Sequence, residues 1–197
     1  MRNVIVHIAT SRLRTWLTLG LCYAVCVVGP SQIAFSQAAQ KVRVLGNYSN
    51  VKPVGDDAFG YSLQLWKEGN RIFGLFAVYT GAPADPPVGI LENVQFDPHT
   101  RQFSFSARLS TGVRYIGPDS KSATRDRFSF KGVLTAKEVT GTLIQADELV
   151  PQNRPTSSRI RLRWSSSLTQ VLTPPPATYS EWKSWADEIL RRRGPRW

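Results

Sequence analysis

The chain has 197 residues, 42% of them hydrophobic, and a formal net charge of +11. Its two cysteines, Cys22 and Cys26, both fall within the first 36 residues, so the remainder cannot be a disulfide-stapled mini-domain. It must be stabilised by burial, and roughly 160 residues are enough for one domain with its own core.

The N-terminus reads as a targeting segment. Arg2, Arg12 and Arg14 precede or enter an apolar run from Trp16 to Gly29, and Pro30 breaks that run. Ala34-Phe35-Ser36 then places small residues where a cut before Gln37 requires them, the pattern of a cleavable signal peptide over 1–36. The apolar run is shorter than the roughly 20 residues that span a bilayer. Leu21 and Val25 precede the cysteines where lipid attachment would need a small residue, and there is no twin-arginine pair. Removing this leader takes away three Arg and no acid, so the charge falls from +11 to +8. The sequence therefore predicts a secreted or periplasmic protein. Its basic charge suits an anionic envelope partner or an acidic protein, and export argues against nucleic acid. A merely solubilising surface charge is the plain alternative.

From Val42 to Ser165 the apolar period is two. Eight short strands are predicted, at 42–49, 58–67, 71–80, 89–96, 101–109, 127–134, 139–146 and 158–165. Phe103, Phe105, Ala107 and Leu109 alternate with Ser104, Ser106 and Arg108, and Ile160, Leu162 and Trp164 with Arg159, Arg161 and Arg163. Turn residues such as Gly69-Asn70, Asp97-Pro98 and Gly117-Pro118-Asp119 separate the runs. No helical period interrupts them, which excludes a parallel βαβ sheet.

The connections alternate in length. Strands two and three, four and five, and six and seven are joined by tight turns, while 50–57, 81–88, 110–126 and 147–157 are longer. In a meander this puts the tight turns at one end and the long loops at the other. Eight strands are the number that closes a small barrel. The fold class is therefore all-β: an eight-stranded antiparallel up-and-down barrel over 37–166 with a C-terminal α-helix. A Ser/Pro-rich linker covers 167–177, and a basic amphipathic helix follows within 178–197. Thr178 and Glu181 form its capping box, and Arg191 to Arg193 suit its C-terminal end. Tyr179, Trp182, Ala186, Ile189 and Arg193 share one stripe, with Trp185 and Leu190 at its margin.

An outer-membrane barrel would show the same alternation with the polar set inside. That set contains Arg43, Arg108, Lys131, Arg159, Arg161 and Arg163 with almost no acid, and like charges packed into a narrow lumen would be costly. The apolar set is therefore expected inside: Phe59, Tyr61, Phe76, Phe96, Phe103, Phe105, Phe128, Phe130 and Trp164, offset by Gly46, Gly74, Ala107, Gly132 and Gly141. A two-residue turn at Gly69-Asn70 pairs Leu65 with Gly74, Leu63 with Phe76 and Tyr61 with Val78, all inward. Trp66, Phe73, Leu75, Ala77 and Tyr79 then form an outer apolar patch that a monomer would not leave bare. Trp182 and Ile189 of the helix are expected to cover Trp66, Phe73, Leu75 and Tyr79. Self-association through the patch, as a homodimer, is the competing expectation.

Strand count, meander order, loop rhythm and the trailing helix resemble the calycins, the superfamily of lipocalins, fatty-acid-binding proteins and avidins. Gly46-Asn47-Tyr48 is similar to the Gly-x-Trp of the lipocalin first strand, with Tyr for Trp. Arg159, Arg161 or Arg163 could stand in for the late-strand Arg that packs over that Trp. The resemblance implies a ligand site within the open end, for a small apolar ligand.

Chemistry-bearing residues are sparse. His99 is the one histidine after the leader and sits in Asp97-Pro98-His99-Thr100, a turn pattern. Asp56-Asp57 also reads as a turn. No Ser-His-acid pattern, metal-ligand set or phosphate loop stands out, so neither an enzyme nor a cofactor is expected. Asn47-Tyr48-Ser49 matches a glycosylation acceptor but lies within a predicted strand. One residue breaks the inward set of strand four, Glu92 among Ile90, Val94 and Phe96. Placed inward, it would join Tyr61, Phe76, Phe105, Phe128 and Gln145 as candidate ligand-binding residues. The alternatives are a bulge that turns Glu92 outward or a rim pair with an Arg. The functional expectation is an exported, non-catalytic barrel that binds at its open end. The rival is an envelope interaction or inhibitor module working through the outer patch and basic helix.

Overall fold

The computed structural model describes residues 41–81, 84, 86–117, 120–166 and 177–193. The signal peptide expected over 1–36, its expected cut site and most of the Pro-rich linker lie outside the described residues, as does the side chain of Ile189. The elements are β1 (Arg43–Ser49), β2 (Lys52–Val54), β3 (Asp57–Glu68), β4 (Arg71–Gly81), β5 (Val88–Phe96), β6 (Gln102–Leu109), β7 (Val113–Gly117), β8 (Ser120–Ala123), β9 (Asp126–Leu134), β10 (Glu138–Asp147), β11 (Thr156–Trp164) and α1 (Tyr179–Arg193).

Eight of these strands close an antiparallel barrel in the order β1, β3, β4, β5, β6, β9, β10, β11 and back to β1. They are the eight that the period of two predicts. β2 is a short strand added to β3, and β7 pairs only with β8. The alternation rule missed these three because none of their described side chains joins the core. Lys52, Pro53 and Val54 are all exposed, as are Val113 and Tyr115. Among the described residues no helix is long and apolar enough to cross a membrane.

The turns follow from local chemistry. Glu68 pairs with Arg71 across Gly69-Asn70, and Gly69 carries φ 58°. A positive φ at the first central residue alone makes a type II′ turn, which suits the twist of the flanking strands. The Asp97 carboxylate accepts from the His99 N–H at 2.8 Å and from the Thr100 hydroxyl at 2.7 Å, so His99 sits in this turn. Arg101 is left-handed at φ 59°, which delays β6 to Gln102 rather than 101.

The barrel interior is a packed core. Leu63, Leu65, Phe76, Phe103, Phe128, Val139 and Leu162 are at most 1% exposed. Tyr61 stacks on Phe76, whose ring touches Phe105 and Phe128 at centroid separations of 5.6 and 5.4 Å. Phe105 stacks on Phe130 at 5.3 Å, and Phe103 meets both. Gly132 and Gly141 face each other across β9 and β10, and the Phe130 ring occupies the volume their side chains would take. Two expected interior aromatics belong to the ends instead: Phe59 is 45% exposed and Trp164 54%. Strand alternation gives the direction of a side chain but not its depth along the barrel.

Glu92 requires a correction. β5 is bulged between Glu92 and Gln95, with Asn93 left-handed at φ 52°. The extra residue reverses the alternation midway, as bulges do. Gly89 and Leu91 are buried before it, and Val94 and Phe96 pack on the core after it. Ile90 and Glu92 therefore face outward. Glu92 grips Arg108 with both carboxylate oxygens, at 2.6 to 3.1 Å, on the exposed wall.

Outside β3 and β4 lies a second cluster of Val42, Trp66, Phe73, Leu75, Trp182 and Ala186, with Ile90, Val88, Tyr179 and Trp185 at its margin. Trp182 and Ala186 are fully buried there. The Trp182 ring lies 4.6 Å from Phe73 and 5.7 Å from Trp66. Tyr79 is outside this cluster and only half-buried. Thr178 caps α1 through its hydroxyl to the Glu181 N–H. Glu181 reaches back to the Ala177 N–H, one residue earlier than a standard capping box. Glu68 accepts the Tyr179 N–H at 2.9 Å, and Arg71 stacks over the Tyr179 ring, so the β3–β4 turn holds the helix start.

Candidate functional site: the open end of the barrel

Tight turns close one end of the barrel, and the four longer connections emerge at the other. The closed end is plugged by Tyr48, which is 2% exposed and donates its hydroxyl to the Thr135 carbonyl at 3.0 Å. Burial pushes the Tyr48 phenol pKa above its usual value. Gly46 makes room, because a Cβ there would lie 2.9 Å from the Tyr48 hydroxyl oxygen. Gly46-Asn47-Tyr48 thus forms a floor for the barrel. Arg159, Arg161 and Arg163 do not pack over Tyr48. All three are exposed on the outer wall, and Trp164 is its register partner.

The open end is organised around Asp126, at the start of β9 and only 4% exposed. Its Oδ1 accepts from Gln145 Nε2 at 3.0 Å. Its Oδ2 accepts from the Thr124 hydroxyl at 2.6 Å, the Thr111 hydroxyl at 2.8 Å and the Thr111 N–H at 3.0 Å. Burial pushes this carboxyl pKa up, but hydrogen bonds from Thr124, Gln145 and Thr111 outweigh that and hold it below the usual value. Thr111 and Thr124 form the base of the β7–β8 hairpin, which is closed by the Thr124 N–H to the Gly112 carbonyl at 3.0 Å. The buried carboxylate therefore fixes the root of a projecting loop.

Above that root, Arg114 pairs with Asp147 at 2.7 Å and ties one face of the hairpin to the end of β10. Alternation puts Val113 and Tyr115 on the other face, where they are 63% and 67% exposed. Lys121 lies 5.1 Å over the Tyr115 ring. Val54, Phe59 and Leu149, on neighbouring segments of this end, are also exposed. Five of the eight exposed large apolar residues among those described thus gather at the long-loop end.

The residues expected to line a ligand site divide three ways. Phe76, Phe105 and Phe128 are mutually packed core, with Tyr61 half-buried above Phe76. Gln145 is at the mouth but committed to Asp126. Glu92 is on the outside. Asp126 was missed, although it precedes Phe128 and Phe130 in the same alternation. Starting the strand one residue earlier would have exposed an inward acid. Asp56 occupies the β2–β3 turn with Gly55. Among the described residues no three His, Cys, Asp or Glu are grouped to hold a metal ion.

At the level of architecture the closed eight-stranded meander with its outer helix accords with the calycin resemblance. Comparison with family models, curated proteins and solved structures finds no match.

Proposed function

We propose that this is an exported, non-catalytic binding protein that engages a partner through its open end, with the β7–β8 hairpin as principal contact. The observation that carries this is the pairing of a locked root with an exposed apolar face. Asp126 takes four hydrogen bonds from Gln145, Thr111 and Thr124, while Val113 and Tyr115 point away from the barrel into solvent. A side chain held out on a braced loop loses little entropy on binding, and Tyr is a favoured contact residue for that reason. The pattern of the first 36 residues supports export. The non-catalytic reading rests on Asp126, whose acceptor capacity is used in holding the loop, and on His99, which sits in a surface turn.

A small apolar ligand at the mouth is the second reading, favoured by half-buried Tyr61 and exposed Phe59 at the rim. The rival use of the outer patch is disfavoured because α1 covers it. Native mass spectrometry of the protein from its own host, wild type against Val113→Ser/Tyr115→Ser, tests the proposal. A bound protein partner lost from the double variant, with unchanged circular dichroism, is expected. A small molecule that the variant retains supports the mouth instead, and a partner bound equally by both proteins overturns the proposal.

A further inference from the structure

The outer wall of β6, β9, β10 and β11 carries an unbalanced set of cations. Arg159, Arg161 and Arg163 project from β11, Lys131 and Arg127 from β9, and Arg108 from β6, all of them exposed. Three acids reach this wall, and each is engaged by one cation: Glu138 by Arg161 at 2.7 Å, Glu92 by Arg108, and Glu148 by Arg127. Lys131, Arg159 and Arg163 have no ion pair among the described residues. Lys131 and Arg159 flank Thr142 in a single register row, and Arg161 and Arg163 continue down the same strand.

Strand geometry sets the spacing. Alternate residues on β11 stand about 7 Å apart, and the two flanks of β10 about 10 Å apart. Hydroxyls of Thr140, Thr142 and Ser157 lie on the same face of the sheet as the cations. Below Lys131, on the outer flank of the β5–β6 hairpin, a groove of about 510 Å³ is lined by Gln95, Gln102 and Ser104 together with Phe96 and Phe103. Asp97 also lines it, with its carboxylate engaged by His99 and Thr100.

We infer that this wall binds an extended, flexible polyanion carrying phosphate, sulfate or carboxylate groups along its chain. The cations stand on three strands, β6, β9 and β11, of a run of four that makes up half the circumference of a convex cylinder. A planar membrane surface touches a cylinder along a strip and reaches only part of that set. A flexible polymer can follow the curvature from Arg163 past Thr142 and Lys131 toward the groove. Like-charged side chains held this close repel one another, and a bound polyanion relieves that repulsion while releasing its counterions.

Titration of the leader-free protein with fluorescent inorganic polyphosphate and with heparin, at several salt concentrations, tests this. Lys131→Gln/Arg159→Gln/Arg163→Gln should lower the affinity at low salt at least tenfold. It should also flatten the slope of log K against log salt by about 2, at roughly 0.7 per contact for single-stranded polyanions. Lys41→Gln/Arg43→Gln/Lys52→Gln removes the same charge from exposed positions around β1 and β2 and should leave the affinity within twofold. Arg159→Gln alone guards against a folding defect in the triple variant and should give an intermediate loss. Equal losses in both triple variants would reduce the effect to net charge and overturn the inference. So would binding to phosphatidylglycerol vesicles without binding to either polymer.

Discussion

Replacing Trp182 by Ala should undock α1 while leaving the barrel folded. Trp182 is fully buried between Phe73, Trp66 and Tyr179, with ring centroids 4.6 to 5.9 Å away. A Trp side chain buries about 150–250 Å². At about 25 cal/mol per Å² this contributes about 4–6 kcal/mol. The indole N–H offsets part of that, because Trp182 Nε1 finds no acceptor among the described residues, at about 1–3 kcal/mol. The net is about 3 kcal/mol, or about a hundredfold in the ratio of docked to undocked helix. Hydrogen exchange resolved by segment reads this directly. Amides of α1 should exchange about a hundredfold faster in Trp182→Ala, while those of β9 and β10 keep their protection. Trp182→Phe retains a ring and removes the orphan donor, so it should stay within about 1 kcal/mol of the wild type. Unchanged α1 exchange in Trp182→Ala, or a Phe variant as damaged as the Ala variant, would refute this account of the interface.

Gly132→Ala puts a Cβ into the Thr140 carbonyl oxygen and within 2.6 Å of Gly141 Cα. Backbone cannot rotate away, so a loss of about 3 kcal/mol is expected in urea denaturation, and a loss below 1 would contradict the packing described. Tyr48→Phe removes the hydrogen bond to Thr135 at the barrel floor and should lower stability by about 1 kcal/mol, read as a lower melting temperature. Asp126 has a folded-state pKa held below its unfolded value near 3.9. Its contribution is therefore complete above that pH and is lost as the pH falls through the lower folded value. Acid unfolding of Asp126→Asn should be flatter than that of the wild type in this range, and parallel curves would exclude the carboxylate network as the source.

Much of this barrel is legible in the sequence because a wall with one face buried must alternate. The Gly69-Asn70 turn fixes the register of β3 on β4, so the pairs Leu63–Phe76 and Leu65–Gly74 follow from two residues. The doubly apolar run of β4 likewise announces a cover, and α1 lies over Trp66 and Phe73. What was not legible arises where one residue breaks a regular count. Asn93 carries no composition signal for a bulge, yet it reverses β5 and sends Glu92 outside. None of the described side chains of β7 and β8 joins the core, so nothing in their pattern marks them as strands. Asp126 was hidden by a strand boundary set one residue late. The candidate site was thus the least legible part, since it is built from a loop base and not from a periodic element.

The closure of the barrel has a further consequence for how the chain folds. β1 holds β3 along most of its length, but its ladder with β11 consists of Tyr48 opposite Trp164 and Ser49 opposite Arg163, extended by the Ser165 N–H to the Asn47 carbonyl. That junction joins the first strand to the last, so its loop-closure entropy is the largest in the molecule for the fewest hydrogen bonds. It should zip last during folding and open first under force or denaturant. Until β11 is in place the seam stays unsealed, and both edges of the sheet remain available to any strand that meets them.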